Sequence, residues 1–213
     1  MFFRKKDKPE GISIRDGYDQ WAEGYPAEQN PIKSASDASV KRMLPDLTGK
    51  VLVDAGCGSG YFCHYAEQAS AKEVIGIDFS PKMIAQAKKI CKYTSFVAGD
   101  IENADLKKSS ADVILSALVL GHVEKIEPVI SKFSGALAAD GILIITDFHP
   151  FLSLKGQKRT FRFEKKLYEI QHHVHMLHEY LNLLTQSGLV VEKMEEPVWQ
   201  GNPVIFALKA KKM

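Results

Sequence analysis

Residues 51–62 read VLVDAGCGSGYF, an apolar run ending in an acid and then three glycines within five positions. The run at 50–55 (KVLVDA) is short, apolar and rich in β-branched residues, as in a strand buried within a parallel sheet. In a doubly wound sheet, ligands bind beyond the carboxyl ends of the strands. The loop therefore lies where a nucleotide-like ligand would sit. Gly56 and Gly58 lack the Cβ that would hold such a ligand off the backbone. A merely tight turn would use the same residues.

Working outward, strand and helix patterns alternate. Gly60–Ala69 reads as a helix, Glu73–Asp78 (EVIGID) as a second strand, and Ser80-Pro81 as an N-cap with proline at the first helical position, opening a helix to about Cys91. Thr94–Ala98 and Asp112–Ala117 are a third and fourth strand, Val123–Leu137 a helix, and Gly141–Asp147 (GILIITD) a fifth strand. Upstream, Tyr18 to Leu47 is helical with interruptions at Pro26 and Pro31; Ile32–Leu44 is one amphipathic helix ended by Pro45, and residues 1–12 are polar and loose.

Beyond Asp147 the rhythm breaks. In the insert at 148–175, TFRFEKKLYEI alternates like a hairpin. A helix from Met176 closes at Gly188, and Leu189–Lys193 and Pro203–Lys209 are the last strands. The pattern predicts one α/β domain over 1–213 with a doubly wound sheet, N-terminal helices at 1–45 and a small hairpin-like insert after strand 5.

A chain of 213 residues, 45% hydrophobic and 25% charged, suits an ordinary globular domain. Its net charge of +2 makes no strong electrostatic case for nucleic acid or an anionic membrane. The basic clusters RKKDK (4–8) and KAKKM (209–213) read as frayed, solvated ends. Cys57, Cys63 and Cys91 are odd in number, lack CxxC spacing and suit a reducing compartment rather than a zinc site. No apolar run approaches the roughly 20 residues of a membrane span, and the N-terminus lacks a signal-peptide core, so a cytoplasmic location is expected.

The acids narrow the ligand. A dinucleotide fingerprint, G-x-G-x-x-G, would place its third glycine at Tyr61; here it falls at Gly60, which disfavours a pyrophosphate. Asp54, pointing into the same mouth, favours a cationic group. Asp78 ends the second strand 22 residues after Gly56, where a carboxylate accepts from ribose hydroxyls. Asp100 follows the third strand, able to accept from an exocyclic amine. A ligand with a ribose, a base and a positive charge, but no phosphate, fits these acids. S-adenosylmethionine has those parts.

VLVDAGCGSG, VIGIDFSPKMI, GDIENADL, DVILSALVLGHV and GILIITD, in this order and spacing, resemble the successive motifs of class I S-adenosylmethionine-dependent methyltransferases. The resemblance implies a seven-stranded, mostly parallel sheet of order 3-2-1-4-5-7-6 with the last strand antiparallel. It implies that Asp54 and the Gly56, Cys57, Gly58 and Gly60 backbone hold the methionine end, with Asp78 on the ribose and Asp100 with Ile101 on the adenine. It also implies that Phe79 and Met83 pack near the adenosine and that Ala117 offers its carbonyl to the ammonium. GYDQWAEGYP resembles the YDxWAxxY segment of small-molecule methyltransferases, where it forms a helical lid. Tyr18, Trp21 and Tyr25 are lid candidates, or aromatics that pack a helix onto the sheet.

The expected activity is methyl transfer by in-line displacement to a small-molecule or carrier-bound acyl acceptor, O- or C-methylation ahead of nucleic acid. After the fourth strand, ALVLGHV lacks the [DNS]PP[YFW] loop of nucleic-acid amine methylases. A non-catalytic S-adenosylmethionine-binding module, and more remotely an NAD-dependent oxidoreductase, share the fold.

His149 and His175 are expected at the mouth of the sheet and His122 near the reacting methyl, each able to take a proton near neutral pH. His172 and His173 would point to opposite faces of a strand-like run, so no metal site is expected. Arg159 or Arg162 can clamp a substrate carboxylate or phosphate, and Trp199 can line the same pocket.

Overall fold

The protein is described from a computed structural model covering residues 10–25, 30–164 and 166–213. The basic run at 4–8 and Pro26 lie outside them. Along the chain, β1 (Glu10–Ile12), α1 (Ile14–Trp21) and α2 (Pro31–Met43) precede the glycine loop. Then follow β2 (Val51–Ala55), α3 (Tyr61–Gln68), β3 (Glu73–Asp78), α4 (Pro81–Ile90), β4 (Ser95–Ala98), β5 (Ala111–Ala117), α5 (Ile126–Ala136) and β6 (Leu137–Phe148). The C-terminal part comprises α6 (Pro150–Leu154), β7 (Thr160–Phe163), β8 (Lys166–Ile170), α7 (Leu177–Gln186), β9 (Leu189–Glu195), β10 (Val198–Trp199), β11 (Asn202–Pro203) and β12 (Ile205–Lys212).

The large sheet runs β4-β3-β2-β5-β6-β12-β9. Counted along the chain, this is the expected order 3-2-1-4-5-7-6. Only β12 runs against its neighbours. Both faces are buried, so alternate residues of one strand enter different cores. Leu52 packs with α3 and α4 residues such as Cys63 and Ile84, whereas Val53 packs with α5 and α7 residues such as Ile130 and Leu184. On β12, Ile205 and Ala207 meet Val40 and Met43 of α2, while Phe206 and Leu208 face the α5 side.

Local chemistry sets the helix ends, at Ser80 as expected and at Asn30 without a prior expectation. Ser80 Oγ accepts from Met83 N with Pro81 at the first turn, and Asn30 Oδ1 accepts from Ile32 N. Pro31 therefore opens α2 rather than interrupting it.

Two expectations are corrected. Residues 10–12 are not loose, because β1 pairs in parallel with β8 and completes a separate β1-β8-β7 sheet. The run at 209–213 is not frayed; β12 reaches Lys212, whose Nζ donates to Ser134 O and Leu137 O. The insert holds the expected β7–β8 hairpin, and also α6, capped by His149. No described helix is long and apolar enough to cross a membrane.

The β1-β8-β7 sheet and α1 form one cap over the carboxyl ends of β2, β3 and β5. Trp21 stacks on Phe161 at 4.9 Å between ring centres, and a Cβ on Gly17 would lie 3.3 Å from Ile12 and Ile170. Arg15 Nε donates to Phe79 O at 3.1 Å, and Ser80 Oγ donates to Asp19, which ties α1 to the end of β3.

Candidate active site

The glycine loop turns tightly because backbone geometry demands it. Gly56 has φ +88°, and a Cβ there would come within 2.2 Å of Val119 Cγ2. Gly60 has φ +84°, and a Cβ would lie 2.7 Å from Ala87 Cβ of α4. The third glycine thus serves the packing of α3 on α4. At Gly58 alone of the three a Cβ would make only an ordinary van der Waals contact, with Tyr25 Cε1 at 3.8 Å.

A cavity of about 270 Å³ lies above the strand ends. Gly56 and Gly58, Asp78 and Phe79, Asp100 and Ile101, Ala117 and His122 line it, with Tyr18 and Tyr25 above. It thereby gathers residues following four strands. Asp78 accepts from Gly58 N at 2.8 Å and Ser80 N at 2.9 Å, one bond to each oxygen. A carboxylate has about four lone-pair sites, so each oxygen keeps one for a ligand hydroxyl. Burial pushes the Asp78 carboxyl up to about 6, against the two backbone N–H groups.

Past Gly58 the cavity continues into a narrow cleft that reaches Asp54, Asp37 and Cys57. Asp54 is 2% exposed, and burial pushes it up to about 7. The weak Cys63 thiol donor, at 3.6 Å, is its hydrogen-bond partner. A cation entering this cleft would relieve that carboxylate.

A second cavity of about 210 Å³ adjoins the first. Tyr18, Tyr25 and Leu118 line both. Trp21, Asn30, Lys33, Phe148, Lys158 and Arg159 also line the second, beneath the cap. Leu118 has φ +60°, uncommon for a branched side chain and a mark of stored strain. Its N–H donates to Thr146 O and its carbonyl accepts from Arg159 Nη2 at 2.7 Å.

Of the three histidines expected near the chemistry, His122 alone lines either cavity. Its Nδ1 faces the Gln171 carbonyl at 3.1 Å, which can only accept, so Nδ1 carries the proton. Nε2 then accepts from the Tyr18 hydroxyl at 2.9 Å. Burial, and then the nearby Arg159 charge, hold His122 well below the usual histidine value and hence neutral.

His149 is elsewhere: its Nδ1 caps α6 through Phe151 N, and its Nε2 pairs with Glu196 at 2.8 Å. His175 bonds Val123 O and borders an open basin with Glu124 and Glu179. The expectation that these two stand at the mouth does not hold, because local caps and carbonyls take up their imidazoles.

Other expected residues also lie apart from the two cavities. Met83 is buried under Ser80 and does not line the first cavity. Arg162 is exposed on β7 and Trp199 is half-exposed on the β10–β11 turn, and neither lines a cavity. Among the described residues no group of three His, Cys, Asp or Glu is placed to hold a metal. Sequence reasoning missed Leu118, Lys33 and Asn30; only Asn30, as an N-cap, carried a local signal, and that signal was structural.

The seven-stranded sheet of order 3-2-1-4-5-7-6, with its one antiparallel strand, matches the class I S-adenosylmethionine-dependent methyltransferase fold. The methyltransferase domain family matches residues 47–200, and the chain belongs to it. It is 30% identical over 156 residues to malonyl-[acyl-carrier protein] O-methyltransferase of Pectobacterium atrosepticum, covering 68% of this chain and 58% of that protein. It is 38% identical over 107 residues to ribosomal protein L11 methyltransferase of Actinobacillus succinogenes, covering 46% of this chain and 36% of that protein. The chain thus spans about a third to three-fifths of these curated relatives. The crystal structure of an S-adenosylmethionine dependent methyltransferase from Mesorhizobium loti superposes with a TM-score of 0.73 at 23% identity, covering 84% of this chain and 98% of that one.

Proposed function

We propose that the first cavity holds S-adenosylmethionine and that the second receives a small-molecule or carrier-bound acceptor, methylated on oxygen or carbon. The observation that carries this reading is the shared wall of Tyr18, Tyr25 and Leu118, which brings an acid-lined cavity against a second one that has no acid among its described lining residues. When bound, S-adenosylmethionine supplies a methyl group already activated by a positive sulfur.

The chain's residues then bind and align. Asp78 accepts from the ribose hydroxyls through its two remaining lone pairs. Asp100 and Ile101 would border the adenine, with Phe79 and Tyr18 lining the same cavity. Asp54 faces the cationic methionine end. Because the donor is pre-activated, alignment is the larger part of catalysis. His122 lines the donor cavity only and its Nε2 accepts from Tyr18, so in this reading a proton from a hydroxyl or enol acceptor reaches it through the Tyr18 hydroxyl, which lines both cavities.

Calorimetric titration with S-adenosylhomocysteine and with NAD tests the donor site. Binding of the first and not the second is expected; the reverse would overturn the reading. Labelled methyl transfer into a metabolite extract tests turnover, and persistent absence of labelled product would favour a binding module instead.

A further inference from the structure

The second cavity has an unbalanced charge. Among the described residues, three cations and no carboxylate line it. Two of the three are already matched: Lys33 Nζ lies 2.8 Å from Asp37, and Lys158 Nζ lies 2.7 Å from Glu169. Arg159 differs. Its guanidinium is held on one side by the Leu118 carbonyl and on another by the Phe148 ring, 4.1 Å from the ring centre. Its Nη1 is buried without a hydrogen-bond partner, and among the described residues Arg159 makes no ion pair.

A buried donor without a partner is unfavourable, more so when it carries charge. Neither contact that fixes Arg159 is a sheet hydrogen bond, and both hold it on the wall of the second cavity beside Phe148. We propose that this arrangement recognises the acceptor by a carboxylate: the substrate is a small organic monoanion whose carboxylate docks on Arg159 and whose apolar body lies against Trp21, Tyr25 and Phe148. One unmatched positive charge suits one negative charge, whereas a phosphate monoester brings nearly two. The planar fork of a guanidinium also matches the geometry of a carboxylate.

This assignment rests on the acceptor occupying the second cavity while the methyl donor fills the first. The full chain, saturated with S-adenosylhomocysteine, is titrated calorimetrically with benzoate, 4-hydroxybenzoate and cinnamate. Their primary amides and phenyl phosphate are titrated in parallel. At least one acid is expected to bind about tenfold or more tightly than its amide and than phenyl phosphate, the size of one charge-assisted hydrogen bond. Arg159→Gln is expected to abolish that preference and Arg159→Lys to keep part of it, with S-adenosylhomocysteine affinity unchanged in both.

Equal binding of acid and amide by the wild type overturns the proposal without recourse to a variant. So do tighter binding of phenyl phosphate, an acid preference that survives in Arg159→Gln, and failure of every acid to bind. If the wild type does not bind S-adenosylhomocysteine, the donor reading fails instead, and the acid–amide comparison on the free chain still decides the anion site.

Discussion

The two cavities share a wall and differ in how they are made. The first is built from residues that follow β2, β3, β4 and β5 in chain order, with Asp78 pinned by the backbone of Gly58 and Ser80. The second is built from α1, the start of α2, Leu118 after β5, the end of β6 and the β7–β8 hairpin, with the two helices more than 100 positions before the last two elements. One cavity is a property of the sheet edge. The other is a property of how the lid and insert join over it, and in a single fold the sheet edge is the part that stays constant while such loops vary.

The comparison breaks most readily at Asp78. Asp78→Ala removes the ribose contact and the acceptor for two loop N–H groups, so S-adenosylhomocysteine affinity is expected to fall about a hundredfold, equivalent to ~3 kcal/mol. Calorimetry that finds affinity within a factor of about three of wild type would detach the first cavity from the donor.

Proton concentration probes the same carboxylate. Asp78 rises from 3.8 to about 6 on folding, and ligand hydroxyls favour its charged form. Affinity for S-adenosylhomocysteine should therefore drop about tenfold between roughly pH 7 and pH 5. Stability has the opposite sign. The folded state holds protons that the unfolded chain releases, so the contribution of Asp78 and Asp54 is fullest below 3.8 and is lost as pH rises through about 6 to 7. Denaturant melts and titrations over this range that move in the same direction would contradict this assignment.

Tyr18→Phe sharpens the boundary between the cavities. It leaves His122 Nε2 buried without a donor, at an expected cost of about 1–2 kcal/mol in unfolding free energy. Hydrogen exchange in α1 and β8 should rise, while exchange in β2 and β3 stays as in wild type. Equal loosening throughout would show that the cap is not a separate layer. At the small end, Trp199→Ala should leave donor affinity and methyl transfer unchanged, since Trp199 lines neither cavity.

What was legible follows the same division. Asp54, Asp78 and Asp100 could be placed from sequence because a buried parallel strand announces where it ends, and the next residue is then at the sheet edge. Gly60 was legible for the wrong reason: its position looked like a trait of the ligand loop, yet Ala87 of α4 requires it. The histidines were misplaced because chain position says little about where a side chain turns. His149 lies one residue past β6, as expected, but becomes the cap of α6. Arg159 and Arg162 looked interchangeable in the insert; one enters the second cavity and the other is exposed on β7.

By itself the sequence determined the sheet, its strand order through the family resemblance, and the acid-lined donor edge. All of these rest on short-range patterns, in which a run of apolar residues, a cap or a glycine turn acts on its own neighbours. Tertiary structure alone decided that Tyr18 meets His122 across 104 positions and that Arg159 is clamped by Leu118 across 41. Those contacts depend on how β1 joins the insert hairpin and closes α1 over the sheet, and no local period encodes a pairing between distant segments.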